Sequence, residues 1–300
     1  MPAFVCELLI QDTSTYRCLL KLWKVLDRIS LGSYARIRSA ENDVKIATFN
    51  INNINKRLAN LTSWLERERP EVVCLQELKT EHHCFPAEAL RSAGYESVWA
   101  GERSWNGVAI LAREQQPILT RSELPGDDLD RQARYLEAAV RGVLIACIYL
   151  PNGNPQPGPK FTYKLAWFER LILHANNLIM AGAPVVLAGD YNVVPTQQDI
   201  YPTQSLDKNA LVQPASREAF QRLLRQGWTD ALRKLHPSGP LWTFWDYKFE
   251  RWQADKGMRL DHLLLSPQVS PLLIGAGVDR WVRGEDNASD HAPAWIRLES

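Results

Sequence analysis

Apolar stretches far apart in this 300-residue chain each run into a side chain able to hold a cation, grip a phosphate or move a proton. Ile46–Phe49 leads to Asn50, and Val72–Leu75 leads to Gln76 and Glu77. Leu144–Ile148 leads to Tyr149 and then Asn152, and Val185–Leu187 leads to Asp190 and Asn192. Asp261 opens the run to Leu265, and Asp290-His291 precedes Ala294–Ile296. One Asp or Asn after a strand is ordinarily a turn residue. The recurrence outweighs that reading, because loops at the ends of sheet strands are where a rigid scaffold usually carries function.

Asn50, Glu77 and Asp290 offer only oxygen, which suits a hard cation, Mg²⁺ first and Mn²⁺ as the alternative. His291 titrates near neutrality, and a carboxylate such as Asp261 would fix its tautomer. Asp190 with Asn192 could hold an attacking water. Together these groups point to metal-assisted hydrolysis of a phosphate ester, in which no covalent nucleophile is needed. No Walker-type phosphate loop, Gly-x-Ser-x-Gly elbow or His-Glu-x-x-His helix is present. Gly275-Ala276-Gly277 reads as a turn rather than a dinucleotide fingerprint. His82-His83-Cys84 reads as a solvated loop, not a zinc site.

The elements that must position these residues read as strands over 44–49, 71–75, 107–112, 143–150, 184–189, 260–265 and 293–298. Helices are expected over 56–68 and 161–181, where leucines and aromatics recur at helical spacing. Pro151–Pro159 holds four prolines and is a loop directly after a strand. The composition, 45% hydrophobic and 23% charged, is that of a globular chain. At this length a core forms without disulfides or a structural metal. The five cysteines are odd in number and form no C-x-x-C pair, which suits a reducing compartment. Net charge is only +1, so any anionic partner must be met by local basic residues such as Lys56, Arg57, Lys79, Arg103, Lys248, Arg251 and Lys256.

Residues 1–43 read as an N-terminal extension, with an amphipathic helix over 14–30, or as a mis-annotated start before the first strand. Residues 44–300 read as one catalytic domain. No stretch is apolar enough to span a membrane and no targeting signal is evident, so a cytoplasmic location is expected.

Several motifs, in chain order, resemble the exonuclease III family of abasic-site endonucleases, within the endonuclease/exonuclease/phosphatase superfamily. They are Thr48-Phe49-Asn50-Ile51-Asn52, Leu75-Gln76-Glu77-Leu78-Lys79, Asn106-Gly107-Val108 and Tyr149-Leu150-Pro151-Asn152-Gly153. They continue with Gly189-Asp190-Tyr191-Asn192, Arg259-Leu260-Asp261 and Ser289-Asp290-His291. The resemblance spans residues 44–300. It implies a four-layer α/β sandwich, two packed mixed β-sheets flanked by helices, with the site at one edge.

It also implies that Glu77 is the principal metal ligand, with Asn50, Asn52 and Asp290 around it. Tyr149 and Asn152 would contact the scissile phosphate, with Lys79 and Asn106 on the substrate side. Asp190 and Asn192 would place and activate water, and Asp261 would orient His291. Phe244, Met258 and Leu260 would line an apolar slot for a baseless sugar, with Trp245 as contact or supporting wall. Asn53 stands where the family commonly has Gly, Tyr191 where it often has Phe, and Met258 where other members have Trp.

The activity implied is Mg²⁺-dependent cleavage of duplex DNA 5′ to abasic sites, with 3′-to-5′ exonuclease and 3′-phosphodiesterase activity as further capacities. The enzyme would act as a monomer without an obligate protein partner. The rivals are a superfamily nuclease or phosphatase for another substrate, such as a 3′ exonuclease without abasic specificity, and a DNA-binding protein that has lost catalysis.

Overall fold

A computed structural model describes residues 43–203, 206 and 208–299; the expected helix over 14–30 lies outside them. Two six-stranded sheets form the centre. The first has the order β11-β12-β1-β2-β4-β3. It comprises β1 Val44–Asn50, β2 Val72–Gln76, β3 Tyr95–Ala100, β4 Val108–Arg113, β11 Leu273–Val278 and β12 Ala294–Leu298. The second has the order β5-β6-β7-β8-β10-β9. Its strands are β5 Ile118–Arg121, β6 Tyr135–Val140, β7 Val143–Tyr149, β8 Val185–Asp190, β9 Thr229–Asp230 and β10 Asp261–Leu265.

The strands are apolar on both faces because both faces are covered. Along β1 and β2, Ile46, Val72 and Cys74 meet Leu136, Ile145, Cys147, Val186 and Leu263 of the other sheet. The alternate residues Ala47, Phe49, Val73 and Leu75 face outward onto helix α1, Leu58–Glu68, through Leu61, Trp64 and Leu65. The residue capping the C-terminus of α1, Arg69, is left-handed, and Pro70 follows it. On the second sheet's outer face, Tyr135 stacks edge-on against Trp167 and His174 of the long helix α3, Pro159–Met180. The short helix α2 is Ala87–Ser92, while α4, Pro214–Arg225, and α5, Ala231–Leu235, complete the order. Helix, sheet, sheet and helix thus make the four-layer α/β sandwich. Among the described residues no helix is long and apolar enough to cross a membrane.

Within the described residues the expected strands and the helices over 56–68 and 161–181 form, with bounds shifted by a residue or two. Pro159 opens α3 rather than ending the loop, since proline fits a first helical turn where no donor is needed. Gly275-Ala276-Gly277 is not a turn but part of β11, paired with β12. Glycine is required there by contact: a Cβ on Gly277 would come within 2.7 Å of the Trp295 ring. His82–Cys84 is one exposed turn of 3₁₀-helix.

Pairing brings the polar strand ends to one edge. β1 runs parallel to β2 and β7 parallel to β8, so their carboxyl ends coincide. β12 and β10 run antiparallel to β1 and β8, so their amino ends arrive at the same edge. The register sets Asn50 beside Gln76, and Asp190 between Tyr149 and Asp261.

Candidate active site

Two clusters of polar side chains share this edge. The first is half-open. Glu77, just past β2, accepts hydrogen bonds from Tyr149 OH at 2.8 Å and Asn50 Nδ2 at 3.0 Å, and pairs with Lys79 Nζ at 2.7 Å. Lys79 also donates to Asn52 Oδ1 at 2.6 Å, and Asn52 Nδ2 donates to Asp290 Oδ1 at 2.9 Å. Burial would raise the Glu77 carboxyl, but Lys79 and the bonds from Asn50 and Tyr149 outweigh it and hold Glu77 below its ordinary value. Burial, with Glu77 beside it, pushes the Tyr149 phenol well up, so it stays a neutral donor.

The second cluster is buried. Asp261 Oδ2 lies 2.7 Å from His291 Nδ1, and His291 Nε2 faces Asp190 Oδ2 at 3.9 Å. The Asn192 backbone N–H caps Asp190 Oδ1 at 2.8 Å. The Asn192 side chain donates to Leu150 O at 2.9 Å and accepts from Asn152 Nδ2 at 3.0 Å. Burial opposes charge on His291, but Asp261, Asp190 and Asp290 prevail and lift it to about 10, so its ring is charged at neutrality. Burial lifts Asp190 to about 7 against the pull of His291.

Asn50 joins the clusters. Its Nδ2 donates to Glu77 and, at 3.0 Å, to Asp190 Oδ2, while its Oδ1 accepts the Asn52 N–H at 3.1 Å. Two carboxylates on one side demand the donor end of the Asn50 amide, so its Oδ1, which accepts the Asn52 N–H, is the end left to meet a cation.

The loops are strained where they bend into the site. Asn52, Asn53, Glu77, Lys79 and Asn192 all take left-handed backbone angles. At φ 87° Asn53 occupies a conformation that suits Gly, and Asn is among the residues best able to replace it. Tyr191 is fully buried and donates to Leu187 O at 3.2 Å.

The aromatic slot differs in part from expectation. The half-buried Phe244 packs edge-on against the His291 ring, 4.9 Å between centroids, and its backbone bridges both Met258 and His291. Trp245 is completely buried, its indole N–H donating to Asp255 at 3.1 Å, and Leu260 is buried in the same cluster. Neither has a face left for substrate. Met258 is buried in that cluster too, and Phe244 is the half-buried member of the four. Asn106 is buried, with Nδ2 donating to Glu102 at 2.8 Å; it touches the site through its carbonyl, which accepts the Lys79 N–H at 2.9 Å.

Sequence reasoning missed several supports. Tyr247 accepts from Arg57 at 2.8 Å and donates to Ala288 O at 2.8 Å, which removes the buried Arg57 from the basic residues free for DNA. Thr243 Oγ1 accepts the N–H groups of Leu260 and Asp261 at 3.0 and 3.1 Å, and Ser289 Oγ donates to Asn50 O at 2.6 Å. Ser289 was visible in the Ser-Asp-His motif; Thr243 and Tyr247 carried no signal beyond the aromatic run around them.

Glu77, Asn52 and Asp290 are linked in a row, with the Lys79 ammonium between Glu77 and the Asn52 oxygen and the Asn52 amide nitrogen on Asp290. Such a set fits a hard cation. Asp190, Asp261 and His291 also lie within 4.8 Å of one another, but the bond between Asp261 and His291 Nδ1 makes that group a proton network.

A model of the Endonuclease/Exonuclease/phosphatase family matches residues 47–291. The chain belongs to that family. It is 30% identical to exodeoxyribonuclease III of Haemophilus influenzae, over 85% of this chain and 100% of that protein, which places it in the exonuclease III branch. Among solved structures, a 3′ phosphatase from Neisseria bound to product DNA hairpin superposes with TM-score 0.82 at 35% identity, covering 86% of this chain and all (100%) of that one. An AP endonuclease from Archaeoglobus fulgidus gives TM-score 0.82 at 30% identity, again over 86% and 100%.

Proposed function

We propose that this chain is a divalent-cation-dependent DNA-repair hydrolase that breaks the phosphodiester bond 5′ to an abasic site. The observation that carries this reading is the pairing, through Asn50, of an oxygen-rich cation pole at Glu77 with a buried Asp190–His291–Asp261 pole. Membership of the exonuclease III branch supports the substrate.

In this mechanism Asn152, exposed at the rim, and the Tyr149 phenol bind the scissile phosphate, and Asn192 and Asp190 hold the attacking water. Asp190, lifted to about 7, takes the water proton on Oδ2 near neutral pH. The new P–O bond forms as the P–O3′ bond breaks, leaving a 5′-phosphate and a 3′-oxyanion that takes a proton from solvent to become the 3′-hydroxyl. His291, charged and fixed by Asp261, directs its Nε2–H toward the growing negative charge on phosphate. Glu77, Asn52 and Asp290 would hold the cation, Mg²⁺ or Mn²⁺, which when bound neutralises charge on the phosphoryl oxygens. Phe244 and Met258 form the apolar surface for a sugar lacking its base, which is extruded at lower cost than a paired nucleotide. The protein works as a monomer on duplex DNA in the cytoplasm.

The Neisseria neighbour supports a second reading, in which the same chemistry is directed to 3′ ends. A labelled duplex with one stable abasic analogue, beside an undamaged duplex, with Mg²⁺ or chelator, separates them. The first reading predicts a chelator-sensitive nick 5′ to the lesion. Products only from 3′ ends of both duplexes favour the second, and DNA binding without cleavage contradicts both.

A further inference from the structure

Lys164, on the second turn of α3, is fully buried, with no exposed surface (0%). Its Nζ donates to Asn192 O at 2.5 Å and to Asn152 O at 3.2 Å. Among the described residues no carboxylate lies within ion-pair distance of it. A buried ammonium is costly, and an apolar side chain would fill the same space without that cost. The cost is visible: burial pulls the Lys164 ammonium down to about 7, against the field of Asp190. What the lysine supplies beyond packing is the pair of hydrogen bonds its Nζ donates.

The two acceptors explain it. They belong to loops leaving neighbouring strands, β7 and β8, and each carries one of the amides facing the proposed phosphate and water positions. Asn192 holds a left-handed backbone at φ 47°, a conformation its peptide carbonyl must be held in. Asn152 Nδ2 reaches Asn192 Oδ1 at 3.0 Å, so the carbonyls fastened by Lys164 carry side chains that also bond to each other. The chain between them leaves room for the lysine stem only because residue 153 is Gly. A Cβ there would lie 2.6 Å from Lys164 Cδ, and the site takes φ +88°.

We infer that Lys164 is a positioning residue for the hydrolysis, its buried ammonium clamping the Asn152 and Asn192 carbonyls so that the Asn192 amide meets Asp190 and the Asn152 amide faces the phosphate. This rests on the roles given to Asn152, Asn192 and Asp190 above. Lys164 touches neither substrate nor cation and acts through the two loops.

The test is a double-mutant cycle in the full-length protein, using Lys164→Met, Asn192→Ala and the combined variant, with kcat and KM measured on the duplex that the wild type cleaves. Lys164→Met is expected to lower kcat by about 10- to 10²-fold, the scale on which a small misplacement of reacting groups is felt, with KM little changed. The combined variant is expected to be no slower than the slower single variant, because both remove the same positioning. A merely structural role would lower thermal stability and active fraction and leave the two losses multiplicative. That result overturns the inference. If Lys164→Met does not fold, Lys164→Gln, which keeps one donor without the charge, is measured in the same cycle and must lie between wild type and Asn192→Ala. Wild-type turnover in Lys164→Met or Lys164→Gln, with Asn192→Ala slow, defeats this inference alone. Wild-type turnover in Asn192→Ala defeats the underlying assignment and this inference with it.

Discussion

Removing the Asp199 carboxylate should cost the fold far more than removing a surface acid, because it anchors the segment that delivers Asp261. Asp199 is fully buried, and its Oδ1 accepts from Arg259 Nε at 2.7 Å and Arg233 Nη2 at 2.6 Å. Its Oδ2 accepts from Thr196 Oγ1 at 2.8 Å. Arg259, also buried, continues to Asp230 Oδ2 at 2.7 Å and His262 Nδ1 at 2.9 Å. In Asp199→Ala, the buried Arg259 keeps one of its two carboxylates. Breaking one partner of a buried ion pair costs about 3–5 kcal/mol. For a domain of this size that lowers Tm by about 10 °C.

The control is Glu169→Ala. It breaks a solvent-exposed pair with Arg222, where water screens the charges and little stability is at stake. Urea denaturation and thermal melts of both variants at pH 7.5 provide the comparison. The two arginines outweigh burial and hold Asp199 well below the usual carboxylate range. Its stabilisation is therefore present above the unfolded value near 3.8 and is lost as pH falls below it, so the gap between wild type and Asp199→Ala should close in acid. Equal stability of Asp199→Ala and Glu169→Ala at pH 7.5 would refute the reasoning.

Asp190→Ala and His291→Ala should each lower turnover at least ~10²-fold while retaining DNA binding, as judged by single-turnover kinetics and a binding titration. Glu77→Gln should raise the Mg²⁺ concentration for half-maximal rate by about 10-fold or more, measured by metal titration, since it removes the charge of the cation pole. His262 is pulled down to about 3 by burial and by Arg259, so it stays neutral in the fold; stability should decline as pH drops from 6.5 toward 3, and His262→Gln should flatten that decline.

Much of the site was legible because strands buried on both faces read as apolar runs, and the polar residue ending each run marks the sheet edge. The orientation of Asn50 was not legible, since it is set by two carboxylates reached through separate pairings with β2 and the other sheet. Lys164 resembled any lysine on an amphipathic helix, and only the loops folded over α3 bury it. β6 was hidden by Glu137, a buried acid that accepts from Tyr135 at 2.6 Å and pairs with His174, partners a local pattern does not reveal. β5 is a short edge strand with half its residues exposed, and β11 carries glycines needed by the Trp295 ring above it. The resemblance implies a slot of Phe244, Met258 and Leu260 with Trp245 as contact or wall; of these four Phe244 alone is half-buried, a difference in exposure that no local pattern reveals.

Direct attack of water on the DNA phosphate at this edge is tested by one turnover in ¹⁸O-enriched water, with mass analysis of both new ends. One ¹⁸O is expected in the 5′-phosphate and none in the 3′-hydroxyl. Label in the hydroxyl, or a product phosphate without label, would contradict it.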